Sequence, residues 1–331
     1  MAIKTGFQKR WPVIAVFTAI VLFCPGIPEA ASTTLRDAAS GKYRESESDC
    51  LCSAELSMYT GIRRDRLNWH IAGNNVNILS ELIVSDIDIF QVGMKSAFTK
   101  GEYTFFAEMA YGDVLGGTNV DRDFLANNRR NIYSESTADV SGRQAMDLSG
   151  GIGRIIDFDS GRYRLTPIMG ASWHRLRLLK THGVQTVATP EKTPPLGAIQ
   201  GLASTYDAYW TGLWAGGNIR VQATEALQIA ASFRYQFFDF RADANWNLRQ
   251  DLSHPVSFSH RAAGRGIQGD ISYKWALTDR VDISLVFLYR YLLAKNGTDT
   301  TFFATGNRAK TPLNKVSWRS RAITAGLTYR F

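Results

Sequence analysis

The last residues of the chain alternate without a slip: Ile323, Ala325, Leu327, Tyr329 and Phe331 fall on one side of an extended backbone, and Thr324, Gly326, Thr328 and Arg330 on the other. A strand turns successive side chains to opposite faces, so the pattern describes a sheet with one apolar wall and one polar wall. The same alternation recurs upstream. Val281, Ile283, Leu285, Phe287, Tyr289 and Tyr291 oppose Asp282, Ser284 and Arg290, while Ile267, Ile271, Tyr273, Trp275 and Leu277 oppose Gln268, Asp270 and Lys274. Similar segments run over residues 53–72, 78–98, 103–112, 142–158, 163–181, 204–223 and 227–247, which brings the expected number of strands to ten.

The connections alternate in length. Tight turns fall at Lys100 to Glu102, Asp159 to Arg162, Thr224 to Ala226 and Thr278 to Arg280, whereas residues 113–141, 182–203, 248–263 and 296–316 form long links and 73–77 a short one. This is the asymmetry of an outer-membrane barrel, with short periplasmic turns and long outer loops. The fold expected is therefore all-β: a ten-stranded antiparallel transmembrane β-barrel with long outer loops. Lipid offers no partner to a free backbone group, so the sheet has to close on itself. Beyond the amino-terminal region no run approaches a spanning helix, since the longest candidate, Val281 to Ala294, carries Asp282 and Arg290. A ten-stranded lumen is narrow enough for side chains to fill, and inward Glu108, Arg220, Arg234, Asp270, Lys274 and Arg290 are placed to pair across it.

At the amino terminus Lys4, Lys9 and Arg10 precede an apolar stretch from Trp11 to Phe23, then Pro25, Gly26 and Pro28, then Ala30 and Ala31. This is the layout of a cleaved secretory signal. Residues 1–31 are read as signal peptide, 32–52 as a periplasmic segment and 53–331 as the barrel, in the outer membrane of a bacterium. Without the leader, three basic side chains and one acidic one are lost, and the net charge falls from +8 to +6. That excess suits outer-membrane lipid or lipopolysaccharide as a partner, and its even scatter along the strands argues against nucleic acid. Cys50 and Cys52 are compatible with a strained disulfide, with pairing to another chain or with free thiols, and supply too few ligands for a metal. No cofactor is expected, because nucleophile-elbow, metal-helix and phosphate-loop signatures are absent.

One acidic cluster stands out, Gly116-Gly117-Thr118-Asn119-Val120-Asp121-Arg122-Asp123-Phe124. It resembles the second outer loop of the omptins, ten-stranded outer-membrane proteases in which a similar motif supplies an aspartate pair. Leu67-Asn68-Trp69 is similar to a Leu-Asp-Trp in the first strand of that family, and the closing Thr-Ala-Gly-Leu-Thr-Tyr-Arg-Phe is common to outer-membrane barrels. The resemblance implies that Asp121 and Asp123 orient a water, that an Asp-x-His dyad in the fourth outer loop activates it, and that the strand ending in Phe331 addresses the barrel-insertion machinery. The chemistry needs both parts: water must lose a proton as it attacks, and a histidine oriented by a carboxylate takes it in the useful pH range. The matching stretch, Phe240 to Arg249, contains no histidine. His254 or His260 would have to serve, with Asp243 or Asp251 as orienter.

The run from Arg63 to Leu67, followed by Asn77-Ile78-Leu79-Ser80-Glu81-Leu82, is more similar to the outer-membrane proteins first described from Protochlamydia, which share the omptin barrel. The expectation is therefore a surface-exposed structural or binding barrel without the protease dyad. An aspartic endopeptidase at the barrel mouth and a narrow solute channel are the alternatives.

Overall fold

The computed structural model describes residues 52–331, so the signal sequence, Cys50 and nearly all of the amino-terminal segment lie outside the described residues. Cys52, at the start of the first strand, is an exposed free thiol.

Thirteen strands are present: β1 (Cys52–Gly73), β2 (Val76–Lys100), β3 (Tyr103–Ala126), β4 (Arg130–Val140), β5 (Gln144–Arg154), β6 (Ile156–Phe158), β7 (Tyr163–Val187), β8 (Gly197–Ile199), β9 (Ser204–Gln222), β10 (Leu227–Asn245), β11 (Phe258–Ala276), β12 (Val281–Phe302) and β13 (Arg308–Arg330). Each pairs antiparallel with its neighbours, and β1 pairs with both β2 and β13, which closes the sheet. β4 and β5 share one position between β3 and β7, and β6 and β8 are short additions on β7, so the ring has ten places. It is an outer-membrane-type β-barrel, as the alternation requires.

The outer wall carries the apolar series. Phe105 on β3, Met169 on β7, Leu213 on β9, Phe233 and Phe237 on β10 and Phe287 on β12 are all exposed on it. Tyr103, Tyr163, Trp275 and Tyr329 lie at the short-turn end of this belt and Tyr111 and Tyr289 at its other edge, where amphipathic rings meet a membrane interface. Inside the belt the lumen is polar and paired: Lys95 with Glu108 at 3.3 Å, Lys274 with Glu55 at 3.1 Å, and Arg290 and Arg63 with Asp147 at 3.2 and 2.8 Å. The Arg234 guanidinium lies 4.5 Å above the Trp214 ring. Arg220, by contrast, makes no ion pair among the described residues.

Beyond the belt the two walls exchange character. The outer wall now meets water and the interior is far from it, so Leu67, Leu82, Val84, Leu176, Leu178, Tyr206, Trp210, Phe240, Val316 and Trp318 turn inward and form one buried cluster. Burying one indole removes on the order of 200 Å² from water, worth about 5 kcal/mol, so this layer is a major source of stability.

The long links at this end are largely strand. β3 and β4 form a hairpin over most of 113–141, β7 continues to Val187, β11 begins at Phe258, and β12 and β13 extend to Phe302 and from Arg308. The expectation of open loops from residue 113, 182, 248 and 296 is corrected here. Polar-in, lipid-out alternation stops at the lipid boundary, although strand pairing continues past it.

Candidate functional site at the barrel mouth

Asp121 and Asp123 stand two residues apart on β3 and therefore on one face. That face is inward only because the phase of the strand changes below them. Gly112 and Val114 are the inward positions in the lower half, but Asn119, Asp121 and Asp123 in the upper. The change occurs where the β2–β3 register shifts between Ser85 and Asp88, opposite Gly116-Gly117. A Cβ on Gly117 would lie 3.2 Å from the Ser85 carbonyl oxygen and 3.3 Å from the Ile87 Cα, so the close passage of the strands favours glycine.

Lys180 continues the inward series of β7 after Leu176 and Leu178, and its Nζ lies 3.4 Å from Asp121 Oδ2 and 3.7 Å above the Trp246 ring. Burial pushes the Lys180 ammonium pKa down, while the charge and hydrogen bond of Asp121 hold it up. Asp123 is pushed up to about 6, first by burial and then by the charge of Asp121, against the Ser80 hydroxyl bond and the charges of Arg249 and Lys180. These groups lie on strand extensions beyond the aromatic edge marked by Tyr111. Burial and both carboxylates also push up the Tyr133 phenol, which the charge of Arg249 opposes. Arg249, from the link between β10 and β11, thus reaches the electrostatic field of the β3–β4 hairpin, and Trp246 at the head of the same link packs on Lys180, so the two outer segments converge at the barrel mouth.

The two candidate histidines, His254 and His260, have partners other than Asp121 and Asp123. His254 Nδ1 is 2.7 Å from Asn245 Oδ1, Asp251 is paired with Arg249 at 2.7 Å, and the exposed Asp243 faces out of the barrel beside Asp207 and Ser259. Neither carboxylate orients His254. The inward positions on the strand part of Phe240 to Arg249 are Phe240, Ala242 and Ala244.

Three histidine–carboxylate couples exist among the described residues: His182 with Asp139 at 3.4 Å is exposed, and the other two are buried, direct cross-strand pairs. His174 Nδ1 meets Asp147 Oδ1 at 2.7 Å inside the belt, in register between β5 and β7. His260 Nε2 lies 3.3 Å from Asp299 Oδ1 in the upper core, in register between β11 and β12, with the Tyr206 hydroxyl 3.0 Å from His260 Nδ1. Lys180 and Asp299 were not among the expected site residues. A lysine continuing the apolar inward series of β7 is the available signal for the first, whereas Asp299 falls within the expected loop 296–316.

Among the described residues no group of three or more His, Cys, Asp or Glu side chains is arranged to hold a metal.

A profile of the Protochlamydia outer membrane protein family matches residues 57–331. The chain belongs to that family. It is accordingly a bacterial outer-membrane protein, and no curated protein matches it in sequence. Among solved structures, the outer membrane protease OmpT from Escherichia coli superposes with a TM-score of 0.68, covering 86% of this chain and 98% of that one at 13% identity. This shows that the Protochlamydia-type barrel and OmpT share a fold. OprG from Pseudomonas aeruginosa, at 8% identity, covers 84% and 95% with a TM-score of 0.34. The NalP autotransporter translocator domain from Neisseria meningitidis, at 14%, covers 83% and 88% with the same score.

Proposed function

We propose that this family member is a surface-exposed binding barrel whose mouth receives cationic groups of peptides without cleaving them. The observation that carries the reading is the state of the acidic pair. Asp121 is ion-paired with Lys180, and the inward side chains at 242 and 244, on the segment that matches the omptin dyad loop, are methyl groups. Among the described residues no carboxylate-oriented histidine is paired with Asp121 or Asp123 to take a proton from a water held there. The half-buried carboxylates remain suited to holding a guanidinium or ammonium group.

The test is incubation of cells displaying the protein with fluorogenic cationic peptides, with binding and cleavage followed separately. Saturable binding that weakens in Asp121→Ala, with no cleavage, is expected. Cleavage that disappears in Asp121→Ala would establish the endopeptidase alternative instead. The apolar layer across the upper lumen also supports a closed barrel over a solute channel, and planar bilayers containing the folded protein are expected to show no steady conductance.

A further inference from the structure

The register of five adjacent strands stacks the outward side chains in level rows. The first row is Ile271, Phe287, Ile323, Ile62 and Phe90, on β11, β12, β13, β1 and β2. The next row outward is Gly269, Tyr289, Arg321, Arg64 and Asp88, and the one beyond it contains Ile267, Tyr291, Arg319 and Arg66. An apolar row thus gives way, over two residues of each strand, to four arginines in a two-by-two block, with Arg64 directly opposite Arg321 and Arg66 directly opposite Arg319.

Like charges directly opposite across a sheet repel, so the block needs counter-charge. Arg64 has one in Asp88, at 2.6 Å. Arg66, Arg319 and Arg321 have no ion pair with a carboxylate among the described residues; Arg319 lies 5.9 Å from the Tyr291 ring centroid. At another place on the outer wall the charges are matched, Arg175 and Arg177 both reaching Asp207 at 3.2 and 3.1 Å. Immediately inward of the block the surface is concave. A groove of about 870 Å³ is lined by Ile62, Ile271, Phe287, Ile323 and the small Gly269, with Arg321 and the Arg64–Asp88 pair at its rim.

We infer that this face of β11 to β2 is a binding site for one anionic phospholipid of the outer leaflet, its acyl chain in the groove and its phosphate on Arg66, Arg319 and Arg321. Charge and shape point to the same molecule: the groove is apolar where the hydrocarbon lies, and the cations stand at its outer edge, where headgroups lie. Guanidinium forks take phosphate oxygens two at a time, so two arginines on adjacent strands can grip one phosphate from both sides.

The test is native mass spectrometry of the folded full chain in neutral detergent, with phosphatidic acid, phosphatidylcholine or inorganic phosphate added. One phosphatidic acid is expected to stay on the protein, while phosphatidylcholine, with its phosphate charge offset by choline, and phosphate, with no acyl chain, do not. Combining Arg66→Gln, Arg319→Gln and Arg321→Gln is expected to lower retention about tenfold or more. Gly269→Leu fills the groove and leaves the arginines intact, and a Cβ there meets only the Ser232 carbonyl oxygen at 3.4 Å, an ordinary contact. It is expected to lower retention as well, and it decides the matter if the triple variant fails to fold. Arg175→Gln with Arg177→Gln is expected to change nothing. Undiminished retention in the triple variant or in Gly269→Leu, equal retention of phosphatidylcholine, or equal retention of inorganic phosphate would overturn the inference.

Discussion

The Trp318 indole stacks on Trp210 across the lumen, with ring centroids 4.3 Å apart and planes 25° from parallel, and its Nε1 donates to Asp65 Oδ2 at 2.9 Å. The same ring lies under the guanidiniums of Arg63 and Arg290, at 5.2 and 5.0 Å. It is therefore the hinge between two environments, an apolar layer on one side and a charged network on the other.

Trp318→Ala should cost about 3–5 kcal/mol, because it leaves a cavity and also removes a bond from a buried carboxylate. The midpoint of heat-induced unfolding, read as the shift between folded and unfolded bands on an unboiled gel, should fall well below that of Trp318→Phe, which keeps most of the volume. A drop of equal size in both variants would show that the hydrogen bond to Asp65 matters more than the packing.

Asp123 gives the mouth a pH dependence of defined sign. Its folded-state pKa is pushed up to about 6, above the ordinary aspartate value of 3.8. Folding therefore favours the protonated form, and the stability linked to that proton is fully present below about pH 4 and lost as pH rises through about 6. Asp123→Asn removes this dependence. The variant should match the wild type near pH 4 and exceed it in unfolding midpoint at pH 7.5, and a constant difference across that range would contradict the assignment.

The His260–Asp299 couple is fully enclosed, and Asp299 Oδ2 also accepts hydrogen bonds from the Thr301 and Thr311 hydroxyls at 3.3 and 3.0 Å. Asp299→Ala leaves the Thr301 and Thr311 hydroxyls without their acceptor and opens a void beside the His260 ring, at a cost of about 2–4 kcal/mol. Asp299→Asn keeps the hydroxyl bonds and should recover a large part of that loss in a denaturant titration.

Topology can be read from Cys52, which is exposed at the short-turn end. An impermeant maleimide should label it in a Cys50→Ser background only after the outer membrane is permeabilised. Labelling of intact cells would place this end outside and invert the orientation.

The ten strands and the tight turns were legible in the residues alone, because a wall between lipid and a polar lumen forces every second side chain to repeat the same choice. So was the shared face of Asp121 and Asp123, which their spacing dictates. The direction of that face was not legible, since it depends on the phase change at Gly116-Gly117, which exists only in the pairing of β3 with β2.

What only the tertiary structure decided is which distant residues meet. Lys180 is 59 positions from Asp121, and Asp299 reaches His260 because β12 continues past the residue where lipid-type alternation ends. Alternation reports the solvent on each side of a strand, and beyond the membrane the solvents change places while the hydrogen-bonded ladder goes on. Local sequence records the first of these. The second is set by register summed around a closed ring.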